Sequence, residues 1–231
     1  MIAVLVPAHD EEALIGACLA SVACAAAAVE AGGEPVCVVV ALDRCSDRTG
    51  EIARARGADT VVLHDGNVGL ARAAAATRAI AHGARWLAIT DADSVVPADW
   101  LTAQLALDAD AFCGVVAVDD WSGYAPWMAR AFEGAEAVRD GHPHVHGANL
   151  GVAVDAYLRC GGFAPLGCSE DVALVDALVA SGARIARRVH PRVSTSARRV
   201  ARASGGFSDY LQHLEASLDL RLQGPLAMPT G

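Results

Sequence analysis

Two aspartates, Asp91 and Asp93, follow an apolar run at 87–90 that is predicted to be a buried β-strand. A buried carboxylate is costly unless it is paired or bound to a metal. Residues i and i+2 of an extended strand point to the same side, so both carboxylates face one point beyond the strand end. Mg²⁺ and Mn²⁺ prefer such oxygen ligands. A helix N-cap or a turn before Pro97 is the alternative interpretation.

Polar clusters follow four consecutive apolar runs, and the pair of aspartates is the fourth. The other three are PAHDEE at 7–12, LDRCSDRT at 42–49 and HDGNVGLARAAAATR at 64–78. Asp43 is placed to accept hydrogen bonds from a ribose or a base edge. The glycine-containing loop at Asn67 offers backbone N–H groups to an anion or a base, and Arg72 is long enough to reach phosphate. Helix caps, first-turn acids and a solvated arginine are the ordinary alternatives.

Alternating strand and helix patterns bring these clusters together. Strands are predicted over 2–6, 36–42, 60–63 and 86–90, and helices over 11–31, about 46–56, and 70–82. This rhythm indicates a mostly parallel sheet with helices on both faces, and ligands bind beyond the carboxyl ends of such strands. Later in the chain we predict helices near 98–107, 125–139, 171–181 and 207–222 and strands near 112–118 and 150–154.

Composition excludes several classes of protein. The 231 residues carry a net charge of −9, which disfavours nucleic acid and anionic membranes as partners. The sequence has no lysine, which excludes a P-loop lysine, a Schiff-base lysine and a lysine general base. The uncharged, alanine-rich stretch at 13–29 follows acids rather than a basic region, so it predicts a packed helix and not a signal peptide or an integral membrane segment. We therefore expect a soluble, cytoplasmic protein.

The order of these clusters resembles the nucleotide-sugar half of GT-A glycosyltransferases, and specifically of the inverting family 2. The matching stretches are PAHDEE, the Asp43 loop, GNVGLAR at 66–72, DAD at 91–93, HGAN at 146–149, GGF at 161–163 and SED at 169–171. The resemblance covers about residues 1–200. It implies an α/β, Rossmann-like GT-A fold in one domain over 1–231, with a donor half at 1–96 and an acceptor half at 97–231 that carries the catalytic base.

The resemblance assigns roles to the matching residues. Pro7, His9 and Glu11 match a stretch near the nucleotide, and Asp43 matches the acid that contacts the base or ribose. Asp93 matches the ligand of a Mg²⁺ or Mn²⁺ ion on the diphosphate, with Asp91 at the ribose or a bridging water. Asp171 matches the base that takes a proton from the acceptor hydroxyl. Many members have a lysine where this chain has Val68, and Arg72 is the expected substitute.

The second half offers further candidates. His142, His144 and His146 have a spacing that suits a metal on a regular strand, which Pro143 opposes. His146 is therefore expected to contact the acceptor, and the other acceptor candidates are Asn149, Glu170 and Trp121. Glu170 has a first-turn acid as its alternative interpretation, and Trp121 has core packing.

Three more charged residues are candidates near the donor. His190 lies where some GT-A enzymes place a third metal ligand, and a partly buried histidine with satisfied hydrogen bonds is the alternative. Arg198 and Arg199 are expected to clamp the diphosphate, and a solvated basic patch is the alternative.

These features predict transfer of a sugar, with inversion, from a UDP- or GDP-linked donor to an acceptor hydroxyl. About 135 residues follow the donor half, so we expect a soluble or small acceptor rather than a lipid-linked polymer. A non-catalytic relative that binds nucleotide sugars or a protein partner is the alternative. A sugar nucleotidyltransferase is disfavoured, because its glycine-rich loop and lysine are missing after the first strand.

Overall fold

The computed structural model describes residues 1–135, 139–200 and 205–222. The strands are β1 (Ile2–Ala8), β2 (Val36–Asp43), β3 (Asp59–Leu63), β4 (Trp86–Ile89), β5 (Ala111–Cys113), β6 (Val116–Ala117), β7 (Leu150–Ala153), β8 (Ile185–Arg187) and β9 (Val193–Ser194). The helices are α1 (Ile15–Ala31), α2 (Thr49–Ala55), α3 (Val68–Ala81), α4 (Trp100–Leu105), α5 (Met128–Ala135), α6 (Val154–Cys160), α7 (Glu170–Ala180) and α8 (Phe207–Leu222). Within this described part, every helix is too short or too polar to cross a membrane.

A seven-stranded sheet forms the centre of the molecule, in the order β3-β2-β1-β4-β7-β5-β8. Neighbouring strands are parallel except at β7, which runs antiparallel to both β4 and β5. Strands β6 and β9 pair in a separate small parallel sheet. The predicted α/β architecture with a mostly parallel sheet is therefore confirmed, and it places the ends of β1, β2 and β4 along one edge.

Strand β1 is buried on both faces, which explains its continuous apolar run. Its even-numbered residues, such as Val4, pack against α1 in one hydrophobic cluster. Its odd-numbered residues, such as Leu5, pack against the alanines of α3 in the other, which also holds Leu174 of α7. Alanine side chains let α3 approach the sheet closely, and burial of both layers is the main stabilising contribution.

The element boundaries differ from prediction where backbone groups have tertiary partners. Helix α1 begins at Ile15 rather than near residue 11, because the backbone N–H of Glu11 donates to Thr49. The strand predicted near 112–118 is two strands, β5 and β6, separated at Gly114, against which the side chain of Asn149 packs. Residues 136–138 of the helix predicted near 125–139 lie outside the described residues. Elements α6, β8 and β9 were not predicted, since their short sequences carry little periodicity.

Candidate active site

A cleft of about 1160 Å³ opens at the carboxyl ends of β1, β2 and β4. It brings together predicted residues from both halves of the sequence: Pro7, His9, Glu11, Asp43, Asn67, Arg72, Asp91, Asp93, His146, Glu170, Asp171 and Arg198. The alternation of parallel strands and helices explains the convergence, because the turn after each parallel strand reaches the same edge of the sheet.

Asp43 at the end of β2 shapes the loop that follows β3. Its carboxylate accepts hydrogen bonds from the backbone N–H groups of Asp65, Gly66 and Asn67, at 3.0, 2.9 and 2.7 Å. Only 5% of Asp43 is exposed. The carboxylate therefore stabilises the conformation of the loop after β3, and it also forms part of the adjacent cleft wall.

His9 and Asn67 are both fixed by main-chain groups. The Nδ1 atom of His9 lies 2.7 Å from the carbonyl oxygen of Asp43, and a carbonyl only accepts, so Nδ1 donates in this hydrogen bond. The side chain of Asn67 caps α3 by accepting from the N–H of Leu70 at 3.0 Å, and it donates to the carbonyl of Pro165 at 3.1 Å. Asn67 thus acts on the cleft mainly through the position of α3.

Arg72 on α3 forms the floor of the cleft. Its side chain is only 4% exposed; Nη2 lies 2.6 Å from the carboxylate of Asp91, and Nε lies 3.2 Å from that of Glu170. A Cβ atom at position 147 would lie 2.0 Å from Nη1, so only glycine fits beside the guanidinium. The buried arginine therefore joins α3, the end of β4 and the start of α7 in one ion cluster.

The floor carries more carboxylates than guanidinium groups. Burial raises the pKa of Asp91 to about 6, Arg72 counteracts this shift, and the neighbouring carboxylates Asp93, Glu170 and Asp171 add to it. Burial also raises the pKa of Glu170. Closely spaced carboxylates in a partly enclosed site disfavour one another's charged forms unless a cation neutralises them. The electrostatics of this floor therefore favour a bound cation.

A second arginine, Arg198, reaches the cleft from the segment after β9. Its Nη2 atom lies 2.6 Å from Oε1 of Glu11 and also contacts Oδ2 of Asp93. Because one nitrogen touches both carboxylates, their oxygens converge on a single point. Oxygen ligands that converge in this way suit a hard divalent cation, so Asp93 fits the predicted metal position.

Asp171, in the first turn of α7, has a fixed orientation. Its Oδ2 accepts the backbone N–H of Gly147 at 2.7 Å, and its Oδ1 accepts the N–H of Val172 at 2.8 Å. Ser169, just before α7, has a left-handed backbone with φ 58° and turns the chain into the helix. The carboxylate of Asp171 remains partly exposed to the cleft, where a substrate hydroxyl can reach it.

The structure corrects the role of Asn149. Its side chain is fully buried: Nδ2 donates to the carbonyls of Val115 and Pro191, at 2.8 and 2.9 Å, and Oδ1 accepts from the indole of Trp100 at 2.9 Å. Both the amide nitrogen and the amide oxygen therefore have partners within the fold. Asn149 is therefore a structural residue and not an acceptor contact.

Trp121 and Arg199 also lie away from the cleft. Trp121 packs on Tyr124 and Phe132, with ring centroids 5.8 and 5.4 Å apart. The guanidinium of Arg199 stacks on Tyr124, 4.4 Å from the ring centroid, and pairs with Glu215 of α8. These contacts correct the predicted sugar platform and the predicted second diphosphate clamp, because both side chains stabilise the packing of α5 and α8.

His190, the predicted third metal ligand, is exposed and does not line the cleft. Several residues that were not predicted also line the cleft, among them Phe207, Ser208 and Tyr210 in the first turn of α8. Their position depends on the path of the chain after β9, for which the sequence has no local signal.

A second group of possible metal ligands, which the sequence did not indicate, lies beside the cleft. Ligand atoms of Asp10, Cys45 and Asp47 all lie within 4.8 Å of one another. The Asp10 carboxylate accepts the N–H groups of Ser46 and Asp47, and the Asp47 carboxylate accepts that of Glu12. These hydrogen bonds connect the turn after β1 to the turn after β2, so a structural role explains why the three side chains lie close together.

The parallel sheet, the polar edge and the aspartate pair after β4 define a GT-A glycosyltransferase fold. The family model of glycosyl transferase family 2 matches residues 3–157, and the chain belongs to this family. A comparison with curated proteins finds no match.

Solved structures share the fold at low identity. TarS of S. aureus is 16% identical with a TM-score of 0.63, over 98% of this chain and 44% of TarS. The mannosyltransferase PcManGT of Pyrobaculum calidifontis, in complex with GDP-Man and Mn²⁺, is 18% identical with a TM-score of 0.63. The match covers 99% of this chain and 66% of PcManGT. Glucosyl-3-phosphoglycerate synthase of M. tuberculosis is 19% identical with a TM-score of 0.57, and the match covers 100% of this chain and 82% of the synthase. The chain thus spans less than two thirds of the first two structures.

Proposed function

We propose that the protein transfers a sugar from a nucleoside-diphosphate donor to an acceptor hydroxyl with inversion, with Mg²⁺ or Mn²⁺ as cofactor. One observation carries the proposal: a carboxylate pair that converges on one point, Glu11 and Asp93, shares a cleft with an oriented, accessible carboxylate, Asp171. The first feature suits a cation on a diphosphate, and the second suits a general base.

The donor half, residues 1–96, would bind the nucleotide. The loop fixed by Asp43 and the Nε2 atom of His9 form a polar wall at the ends of β1 and β2. Pro7 lines the same wall, and Asp91 keeps 34% of its side chain exposed beside the floor. One related structure contains UDP and another contains GDP-Man with Mn²⁺. A UDP- or GDP-linked sugar is therefore the proposed donor.

The acceptor half, residues 97–231, would supply the base. Asp171 would take the proton of the acceptor hydroxyl while its oxygen attacks the anomeric carbon, and the bond to the diphosphate breaks on the opposite side. This single displacement inverts the configuration. A divalent cation held by Asp93 would neutralise charge on the leaving diphosphate. The hydrogen bonds from Gly147 and Val172 orient the carboxylate, and each oxygen keeps a second lone pair for the acceptor hydroxyl.

The acceptor is proposed to be small. Pockets for a single small molecule are commonly about 300–1,000 Å³, and the cleft of about 1160 Å³ has room for a donor and a compact acceptor together. His144, His146 and Tyr210 line its remaining side. Their rings offer apolar faces and polar edges, which suit a hydroxylated molecule.

The donor site is tested by thermal stabilisation. Unfolding of the full chain would be followed with Mn²⁺ and either UDP or GDP, against AMP as a control. We expect one nucleoside diphosphate to raise the Tm in a concentration-dependent manner, because a ligand that binds only the folded state stabilises it. If neither raises the Tm, the proposed donor site is wrong.

Catalysis is tested by comparing Asp171→Asn with Asp176→Asn, an exposed aspartate on the same helix. Donor hydrolysis would be measured with the nucleotide sugar that stabilises the protein. We expect Asp171→Asn to bind the donor normally and to lose about 10²- to 10⁴-fold in turnover, as loss of a general base does. Asp176→Asn should retain full turnover. Equal turnover in both variants would leave a nucleotide-sugar-binding protein without this catalytic base.

A further inference from the structure

Arg198 and Arg199 are adjacent in sequence but have opposite environments. Arg199 points to Tyr124 and Glu215, away from the cleft. Arg198 points into the cleft and contacts Glu11 and Asp93. The neighbouring arginine is therefore an internal control for whatever Arg198 does in the cleft.

We infer that Arg198 is an exchangeable internal cation: it competes with a divalent cation for the carboxylates of Glu11 and Asp93, and it pairs with the donor diphosphate once it is displaced. Only the pairing of Arg198 with the donor diphosphate rests on the proposed function. Competition for the two carboxylates is a property of the protein alone.

The two carboxylates need a positive partner. Their side chains are 7% and 13% exposed, so water screens them poorly, and both contact the same nitrogen of Arg198. Two like charges held this close in a partly enclosed site repel each other strongly unless a cation lies between them. Arg198 supplies that cation, and a metal bound at the same point would have to replace it.

The position of Arg198 in the fold allows its ion pairs with Glu11 and Asp93 to be exchanged. Arg198 is carried by a segment without regular secondary structure, and its side chain remains 23% exposed. The backbone N–H of Arg198 donates to the hydroxyl of Ser196 at 3.3 Å, within the same irregular segment. The side chain can therefore leave Glu11 and Asp93 without breaking a helix or a strand.

Displacement changes what Arg198 can bind. A guanidinium and a divalent cation repel each other, so they do not share Asp93 at close range. The freed guanidinium would lie beside the anionic diphosphate, which its planar fork binds with two parallel hydrogen bonds. Arg198 should therefore weaken metal binding when no nucleotide is present and strengthen nucleotide binding when the metal is present.

The test measures these two affinities in the full chain. Free Mn²⁺ would be counted by electron paramagnetic resonance during titration of the wild type, Arg198→Ala and Arg199→Ala without nucleotide. We expect Arg198→Ala to bind Mn²⁺ about tenfold more tightly than the wild type, which corresponds to about 1.4 kcal/mol. Arg199→Ala should match the wild type. Circular dichroism would establish that each variant is folded.

A second titration uses UDP and GDP at saturating Mn²⁺. Arg198→Ala should bind the stabilising nucleotide about tenfold more weakly than the wild type, a loss of about 1.4 kcal/mol. Arg198→Lys should compete with Mn²⁺ nearly as the wild type does, because it keeps the charge, but should bind nucleotide less well, because it lacks the fork.

The outcomes separate the two proposals. Unchanged or weaker Mn²⁺ binding by Arg198→Ala overturns the competition, even if the wild type binds a nucleoside diphosphate as proposed. Tighter Mn²⁺ binding by Arg198→Ala, with no nucleotide binding by any variant, upholds the competition and overturns the proposed donor site. Tighter Mn²⁺ binding together with unchanged nucleotide affinity overturns the diphosphate contact alone.

Discussion

Two arginine–carboxylate clusters lie in the same cleft and differ in how they are held. Arg72 projects from the second turn of α3 and is buried between Asp91 and Glu170. Arg198 projects from an irregular segment and remains partly exposed between Glu11 and Asp93. Each guanidinium joins two carboxylates that are distant in sequence. The difference shows that similar ion pairs can have different roles. Those of Arg72 form part of the structural framework of the fold, and those of Arg198 are exchangeable.

Burial decides which of the two clusters stabilises the fold. Removing one partner of a buried ion pair leaves an uncompensated charge and costs about 3–5 kcal/mol. Ion pairs that water reaches contribute about 0–1 kcal/mol. The side chain of Arg72 is 4% exposed and that of Arg198 is 23% exposed, so loss of Arg72 should destabilise the fold more than loss of Arg198.

The largest effect is expected for Arg72→Ala. This change should lower the free energy of unfolding by about 3–5 kcal/mol, because Asp91 and Glu170 lose their buried partner. Urea denaturation followed by circular dichroism measures it. Arg78→Ala is the matched control on the same helix, since Arg78 forms an exposed ion pair with Asp59, and it should cost less than about 1 kcal/mol. Similar losses in both variants would remove the distinction between framework and exchangeable contact.

A pH-dependent effect is expected at Glu170. Burial raises the pKa of its carboxyl above the ordinary value of 4.5, so the folded state holds this proton more tightly than the unfolded state. The stabilisation that follows is complete below about pH 4.5 and is lost as the pH rises through the raised pKa. The free energy of unfolding of the wild type, relative to Glu170→Gln, should therefore fall as the pH rises from 4.5.

Asp59 is expected to show the opposite dependence of stability on pH, and it serves as the control. A hydrogen bond to His82 lowers the pKa of Asp59, so its stabilisation is present above about pH 3.8 and is lost as the pH falls through the lowered pKa. Urea denaturation of Asp59→Asn and Glu170→Gln over the same pH series compares them. A wild-type advantage over Glu170→Gln that grows with pH would contradict the burial of this carboxyl.

The smallest effect is expected for Arg198→Ala. Because its side chain is 23% exposed, its ion pairs should contribute less to the free energy of unfolding than those of Arg72 do, and 1 M NaCl should reduce that contribution by screening. Arg48→Ala, which removes an exposed pair with Glu51 on α2, gives the reference value. A loss from Arg198→Ala as large as that from Arg72→Ala would mean that Arg198 is also part of the framework.

The sequence was sufficient to predict the fold of residues 1–96. Hydrophobic periodicity is local, so the strands that became β1, β2, β3 and β4 and the helices between them could be predicted with small errors at their ends. The turns after β1, β2 and β4 then had to meet at one edge, which brought Asp43, Asp91 and Asp93 to one cleft.

In residues 97–231, the roles of several side chains could not be predicted from the sequence. Asn149 belongs to a family-like stretch, but its hydrogen-bond partners include Trp100, 49 residues earlier, and they decide that it is structural. Arg198 and Arg199 have the same residue type and the same local surroundings in sequence, yet they point to different parts of the molecule. Such roles depend on tertiary partners, which residue type and spacing do not specify.

The reversed direction of β7 has a consequence for how this cleft can change. Because β7 runs antiparallel to β4, with Leu150 beside Ile89, the chain enters this strand at the edge of the sheet that carries the cleft instead of leaving it there. The segment that carries His144 and His146 therefore lies outside the parallel β-α repeats and leads into β7. Insertions or exchanges in this segment would alter the shape of the proposed acceptor side while the pairing of β1, β2, β3 and β4 stayed the same, which makes it the place to vary the proposed acceptor specificity.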